Sequence, residues 1–217
     1  GLPIELAREW FLALSRAIFA LDFGNVGFQV PDYSAYEDML GAHLDRITPV
    51  PVPTFEHEGF GLSSERLDRE ITERGLRAYL VSNPCNPTGR VIRGPELGRW
   101  IDVARRRNCT LLLDEFYSHY IYDGDKPAAR PVSAAEHVED VDRDPVLLFD
   151  GLTKNFRYPG WRMGWVLGPK AMIETQITAG SSIDGGPPRV MQRAAIAVLE
   201  SSRAAQETTA VRAAFSK

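Results

Sequence analysis

Apolar and polar positions alternate along the chain with the periods of α-helices and β-strands. Residues 5–20 and 34–44 carry apolar side chains at helical spacing, and short apolar runs, "VGFQV" and "ITPVPVP", follow them. The prolines of "ITPVPVP" predict an edge strand, because proline cannot donate a backbone hydrogen bond to a central ladder. The pattern therefore begins as helix, strand, helix, strand.

The same alternation continues through the middle of the chain. "SSERLDREITERG" predicts a helix with serine as N-cap and its end at Gly75, and "LRAYLVS" predicts the next strand. The loop "NPCNPTGRVIRG" then leads into a helix, "PELGRWIDVARRRN", with Pro95 near its first turn, and the strand "CTLLLDE" follows.

The last third of the chain begins with a polar excursion. Residues 122–145 predict a long surface segment with about one helical turn; "VLLFD" and "RMGWVLG" predict strands; and the rest from Pro169 is mostly helical, with a break at "SSIDGGPP". Strands that alternate with amphipathic helices predict an α/β protein, a three-layer sandwich with a mainly parallel sheet. In such sheets the chemistry gathers at the carboxyl ends of the strands.

Composition narrows the class of protein. The 217 residues are 44% hydrophobic and 25% charged, enough for one domain with a sizeable core. The formal net charge of −4 gives no reason to expect a nucleic-acid or membrane partner. The basic run at residues 105–107 ends a helical pattern, where cations suit the helix dipole, and is interpreted as a solvated face.

Cysteine and histidine positions argue against a disulfide framework or a metal site. Cys85 and Cys109 lie in different contexts, and with four scattered histidines they show no metal-ligand spacing, so no metal is expected. No apolar stretch is long enough to span a bilayer, and the N-terminus shows no signal-peptide pattern. We therefore expect a protein of the reducing cytoplasm.

Two of the predicted strands end in polar residues that suggest a site. In "SNPCNPTG" the doubled Asn-Pro step predicts a rigid loop in which Asn86 is an amide donor with a fixed direction. In "DEFYSHY" Asp114 directly follows "LLL", where a carboxylate needs a partner that welcomes negative charge, and Tyr117 could point a phenol into the same space. Each residue alone is also compatible with an ordinary turn or cap.

A third strand end carries a lysine. Lys154 follows "VLLFD" after three residues, and Arg162 comes eight residues later, just before the strand "RMGWVLG". A lysine becomes a nucleophile when its pKa is lowered, and the arginine fork suits a phosphate. A single ligand with an aldehyde, a ring nitrogen, a phenolate oxygen and a phosphate would satisfy all of these groups. Pyridoxal 5'-phosphate (PLP) has all four.

The chain resembles the fold-type I PLP-dependent aminotransferases, class I/II, related to aspartate aminotransferase. Four motifs occur in the family's order, and the resemblance covers essentially the whole chain: "PDYSAY" (31–36), "NPCNPTG" (83–89), "DEFYSHY" (114–120) and "GLTKNFRYPGWRMGW" (151–165). The resemblance implies that residues 1–217 form the PLP-binding large domain, incomplete at its N-terminus and without the C-terminal small domain. We therefore expect a fragment, with little activity if these residues are the whole protein.

The resemblance also implies roles for the site residues. Lys154 would form the aldimine and shuttle the proton; Asp114 would pair with the pyridinium nitrogen. Asn86 and Tyr117 would hydrogen-bond the ring oxygen, and Tyr33 would stack on the ring. These residues and Arg162, which would grip the phosphate, form the expected cofactor site, with Lys154, Asp114 and Tyr117 as its catalytic members.

Two departures from the family pattern affect the phosphate. Gly151 stands where a hydroxyl residue is usual. The glycine-rich phosphate loop should fall near "ELAREW", which offers Leu6 and Ala7 instead. Backbone N–H groups at a helix start there could still serve.

Several activities remain open at this point. The first is an aminotransferase that moves an amino group between an L-amino acid and a 2-oxo acid, as a homodimer whose partner is approached near "SSIDGGPP". The second is a PLP-dependent lyase or an enzyme like aminocyclopropanecarboxylate synthase, because one cofactor serves many reactions. The others are a non-catalytic PLP-binding effector domain and a plain α/β domain.

Overall fold

The computed structural model describes residues 4–7, 14–18, 24–123, 126–127, 130–183 and 185–215. The strands within these ranges are Ile4–Ala7 (β1), Gly24–Val30 (β2), Ile47–Pro53 (β3), Ala78–Ser82 (β4), Thr110–Asp114 (β5), Tyr122–Asp123 (β6), Lys126–Pro127 (β7), Val146–Gly151 (β8) and Gly164–Leu167 (β9). The named helices are Ala35–Gly41 (α1), Ser64–Arg74 (α2), Pro95–Arg107 (α3), Lys170–Ile183 (α4), Arg189–Val198 (α5) and Ser201–Phe215 (α6).

Seven strands form one sheet in the order β1-β9-β8-β5-β4-β2-β3. The five strands from β8 to β3 are parallel to one another, whereas β9 runs antiparallel to β8 and to β1. The predicted mainly parallel sheet is therefore confirmed. β3, which carries three prolines, is an edge strand as predicted, so its missing N–H groups disturb only one ladder.

The central strands are buried on both faces, which explains their continuous apolar runs. Alternate residues of β5 enter different cores: Leu112 packs with the layer of α1, and Leu111 and Leu113 pack with the layer of α2 and α3. The same alternation occurs in β4 and β8. Helices on both faces of the sheet give the predicted three-layer α/β sandwich.

Local signals account for the ends of α2. The Ser63 side chain accepts the Arg66 N–H at 3.2 Å, which caps the first turn, and Gly75 ends the helix with a φ of 60° in the left-handed region. The predicted surface excursion at residues 122–145 contains the short strands β6 and β7 and one 3-10 turn at Ala134–His137. No helix among the described residues is both long and apolar enough to cross a membrane.

The predicted helix over residues 5–20 is wrong at its beginning. Ile4–Ala7 is a strand, paired antiparallel with β9 from Ile4 opposite Leu167 to Ala7 opposite Gly164. Pairing at the edge of the sheet satisfies the backbone groups of this segment and overrides its helical periodicity. Residues 14–18 are helical as predicted, and residues 8–13 and 19–20 lie outside the described part of the chain.

Candidate cofactor site

The carboxyl ends of β4, β5 and β8 meet at one edge of the sheet, with Asp114 at their centre. Ser82 pairs with Asp114 in the ladder between β4 and β5, and Asp114 pairs with Phe149 in the ladder between β5 and β8. The loops that carry Asn86, Tyr117 and Lys154 leave from these three strand ends, so the topology brings the predicted residues to one place.

Asp114 is a buried acid, only 7% exposed, held by two hydrogen bonds. Its Oδ2 accepts the hydroxyl of Tyr36 at 2.7 Å, and its Oδ1 accepts the N–H of Phe116 at 3.1 Å. Burial raises the pKa of Asp114 to about 6, although both hydrogen bonds act in the opposite direction. Among the residues that the structure describes, none forms an ion pair with Asp114, so the carboxylate lacks a cation.

The backbone of Asn86 is held by a hydrogen-bonded relay, while its side chain is available. The Asn86 N–H donates to Ser82 Oγ at 3.1 Å; the Ser82 hydroxyl donates to Asp32, and the Ser82 N–H donates to the same carboxylate at 3.0 Å. Burial raises the pKa of Asp32 to about 7. The Asn86 carboxamide makes no hydrogen bond within the described ranges, so it can bind a ligand.

Lys154 and Tyr117 face the same space. Lys154 Nζ lies 5.8 Å from the centre of the Tyr117 ring, and the Tyr120 hydroxyl donates to the Lys154 carbonyl at 3.0 Å. The Tyr117 ring packs edge-on against Tyr120 with centroids 5.6 Å apart. Neither the Lys154 amine nor the Tyr117 hydroxyl has a polar partner in the described part of the chain. A free amine and a free phenol thus stand side by side.

Tyr33 lies beside Tyr36, the tyrosine that donates a hydrogen bond to Asp114. The residue is 36% exposed, and its ring packs edge-on against Tyr36 with centroids 5.7 Å apart. The neighbouring Tyr36 is 1% exposed and donates to Asp114. Tyr33 therefore presents a partly exposed aromatic ring close to the buried acid.

Arg162 comes to the same edge from β9. Gly151, the last residue of β8, pairs with Gly164 of β9, so Lys154 and Arg162 both lie in the loop between these strands. Arg162 adopts left-handed dihedrals, with φ 50° and ψ 49°, and its Nη1 donates to the Pro159 carbonyl at 3.0 Å. The turn from Pro159 to Trp161 thus directs the chain back to the sheet edge.

Gly151 has a packing role that explains the missing hydroxyl. A Cβ at this position would lie 2.7 Å from the Met163 carbonyl oxygen, 2.9 Å from Phe116 Cζ and 3.0 Å from Gly164 Cα. Real Cβ atoms do not approach backbone so closely, so this backbone admits no side chain here. The departure from the family pattern follows from the tight crossing of β8 and β9.

The prediction of a phosphate loop near "ELAREW" is partly wrong. Leu6 and Ala7 lie inside β1, whose backbone groups pair with β9, so they cannot form a loop around a phosphate. The remaining residues of that segment, 8–10, lie outside the described part of the chain.

Sequence reasoning missed the residues that support the site. Tyr36 and the pair Asp32 and Ser82 hold Asp114 and the Asn86 loop, and Asn155 is fully buried behind Lys154. The sequence does contain a signal for Asp32 as a site residue: it follows the predicted strand "VGFQV" after one proline, much as Asp114 follows "LLL". No pattern in the sequence distinguishes Ser82 or Asn155 from ordinary loop residues.

Fold and site together define a class: α/β proteins with acidic, amide, phenolic and cationic side chains at the carboxyl edge of a mainly parallel sheet, where such folds commonly place their ligands. The comparisons identify the family within this class. A family model described as aminotransferase class I and II matches residues 13–217, and the chain belongs to this family.

Individual relatives agree with this assignment. The chain is 35% identical over 156 residues to a probable aspartate/prephenate aminotransferase of Thermus aquaticus, covering 72% of this chain and 38% of the relative. It is 33% identical over 129 residues to an aspartate aminotransferase of Pyrococcus abyssi, covering 59% of this chain and 31% of that protein. A solved aspartate aminotransferase of Thermus thermophilus superposes with a TM-score of 0.84 at 27% identity, over 98% of this chain and 53% of its own. The chain thus spans about half of the solved structure and less than half of these curated relatives.

Proposed function

We propose that this chain is the cofactor-binding large domain of a PLP-dependent aminotransferase. The observation that carries the proposal is Asp114, a buried carboxylate without a cationic partner in the described ranges. It ends β5, whose loop carries Tyr117, beside β8, whose loop carries Lys154. When bound, PLP supplies a protonated pyridine ring that withdraws electrons from a substrate's α-carbon.

The residues present fit this group. Asp114 would hold the ring nitrogen in its protonated form, because a buried carboxylate favours a cation beside it. The free carboxamide of Asn86 and the free hydroxyl of Tyr117 would donate to the ring oxygen. Tyr33 would cover one face of the ring, as its partly exposed position supports.

Lys154 and Arg162 would bind the two remaining groups of PLP, the aldehyde and the phosphate. Lys154 would hold the cofactor's aldehyde carbon and, once released from it, move a proton at the substrate α-carbon. Arg162 would bind the phosphate, because a guanidinium fork matches phosphate oxygens. Its position in the loop between β8 and β9 supports this role.

The substrates we propose are an L-amino acid donor and a 2-oxo acid acceptor. Relatives named as aspartate and aromatic-amino-acid aminotransferases support this substrate class. We further propose that the protein is a homodimer and that it works in the cytoplasm. The two free, buried cysteines, Cys85 and Cys109, support a reducing compartment.

A single-turnover experiment tests the proposed reaction. The full-length protein that contains this chain is loaded with PLP and mixed with L-aspartate or an aromatic L-amino acid without any 2-oxo acid. We expect the cofactor spectrum to change to that of pyridoxamine phosphate and to return when a 2-oxo acid is added. Release of pyruvate, ammonia and the arene from an aromatic L-amino acid, without pyridoxamine, would instead identify a lyase. A bound cofactor that no amino acid changes would identify an effector domain.

A further inference from the structure

Asn155, the residue after Lys154, has the most complete set of buried hydrogen bonds around the site. It is 0% exposed. Its Nδ2 donates to the Glu115 carbonyl at 3.1 Å, to Ser118 Oγ at 3.0 Å and to Asp150 Oδ1 at 2.9 Å. Its Oδ1 accepts the His119 N–H at 3.1 Å. Both ends of the amide are therefore satisfied by protein groups.

These partners come from two different elements. Glu115, Ser118 and His119 belong to the loop after β5, on either side of Tyr117, and Asp150 lies near the end of β8, four residues before Lys154. One side chain thus ties the Lys154 loop both to the loop that presents Tyr117 and to its own strand.

The surrounding contacts make the tie rigid. The Glu115 N–H donates to the Phe149 carbonyl at 2.8 Å, and the Glu115 carboxylate accepts the Ser133 hydroxyl and the Ala134 N–H, each at 2.7 Å. Asp150 Oδ1 also accepts the Gly151 N–H at 2.6 Å. Because the partners of Asn155 are themselves fixed, its amide has one well-defined position.

We propose that Asn155 is a positioning residue that sets where the Lys154 amine stands relative to Tyr117. The inference rests on the proposed function, in which Lys154 holds the cofactor. Lys154 is exposed and has a long flexible chain, so its amine is placed chiefly by the backbone that carries it. That backbone is anchored by Asn155 on one side and by the Tyr120 hydroxyl on the Lys154 carbonyl.

Selective labelling of lysines by PLP tests this role. The 217-residue chain is incubated with PLP, reduced with borohydride and digested, and the modification of Lys154 is divided by that of Lys170. Lys170 is an internal reference because it lies on the surface, with its side chain 70% exposed. The ratio is measured for wild type, Asn155→Ala, the isosteric Asn155→Asp, and Leu97→Ala, a core change in the layer of α2 and α3.

The expected result is a large difference among the variants. Both Asn155 variants should lower the ratio about tenfold or more, since a misplacement of one ångström can cost that much. Leu97→Ala should leave the ratio unchanged under conditions where it stays folded. Should Asn155→Ala fail to fold, Asn155→Asp decides, because it keeps the shape and replaces the N–H donors with a carboxyl oxygen.

Two results would overturn the inference. A wild-type ratio in both Asn155 variants, or an equal fall in Leu97→Ala at matched stability, would assign Asn155 a merely structural role. Failure of the proposed function looks different, because Lys154 would then be labelled no more than Lys170 in the wild-type chain itself.

Discussion

The two ends of the candidate cofactor site are built by different means. At the ring end, polar side chains from several strand ends converge, and Asp114 is held by the Tyr36 hydroxyl and the Phe116 N–H. At the phosphate end, Arg162 has a left-handed backbone conformation, and the close approach of β8 and β9 leaves no room for a side chain at Gly151. The ring end depends on side-chain chemistry, and the phosphate end depends on backbone geometry.

This difference has consequences for stability. The ring end buries acids whose charged forms are disfavoured, as the raised pKa values of Asp32 and Asp114 indicate. Such buried acids lower the stability of the folded chain, and binding of a cation next to them raises it again. The phosphate end depends on a guanidinium and on close backbone contacts, so its variants should change cofactor affinity or packing instead.

The largest expected effect is a pH dependence at the ring end. Burial raises the pKa of Asp114 from 3.8 to about 6, so the folded state binds more protons than the unfolded state between these values. Stability from this group is present at low pH and lost as pH rises through about 4 to 6, by about 3 kcal/mol at 1.4 kcal/mol per unit. We expect Asp114→Asn to remove that part of the slope.

Urea unfolding of both proteins without added cofactor, at a series of pH values, measures this difference. Subtracting the two curves cancels the titrating groups that do not interact with Asp114. Burial raises the pKa values of Asp32 and Glu115 to about 7, and because the Asp114 charge contributes to both shifts, the comparison is made below that pH. Parallel curves for the two proteins would show that Asp114 ionises freely and is not a buried acid.

The next largest effect belongs to the phosphate end. Arg162→Ala should weaken PLP binding by about 10- to 100-fold, because a hydrogen bond to a charged group contributes about 1.5–3 kcal/mol. Fluorescence titration with PLP measures the affinity, and pyridoxal without the phosphate is the matched ligand. The variant should bind pyridoxal as wild type does; equal losses for both ligands would place Arg162 away from the phosphate.

Gly151→Ser tests backbone geometry directly. Although it supplies the hydroxyl usual in the family, it should lower the free energy of unfolding by about 2 kcal/mol, because the new side chain collides with the Met163 carbonyl. Gly160→Ser is the matched control, since a Cβ there meets nothing within 4 Å. Thermal unfolding of both variants gives the comparison. A Gly151→Ser protein as stable as the control would mean that the two strands can separate.

The smallest expected effect concerns the hydrogen bond between Tyr36 and Asp114 at the ring end. Tyr36→Phe removes the hydroxyl that donates to Asp114 Oδ2 and should cost about 1 kcal/mol of stability. It should also raise the pKa of Asp114 further, because that hydrogen bond lowers it. The pH series used for Asp114→Asn measures both changes. An unchanged pH midpoint would show that Tyr36 does not hold the carboxylate.

The same contrast explains what the sequence could predict. Apolar runs ending in Asp114 and in the loops of Asn86 and Lys154 predict both the α/β sheet and the ring end, because buried strands and polar strand ends leave local patterns. The packing role of Gly151 was not predictable, since it arises from a neighbour twelve residues away at Met163. The strand Ile4–Ala7 was missed for the same reason, because its partner β9 lies far along the chain.

The central claim is that Lys154 holds the cofactor. The most direct measurement mixes equimolar PLP with wild type, Lys154→Ala and Lys170→Ala and records the visible absorbance of the protein after free cofactor is removed. We predict the absorbance band of a lysine imine for wild type and Lys170→Ala, and for Lys154→Ala no imine band, because any PLP held by the other contacts keeps its free aldehyde. An imine band that persists in Lys154→Ala would contradict the account.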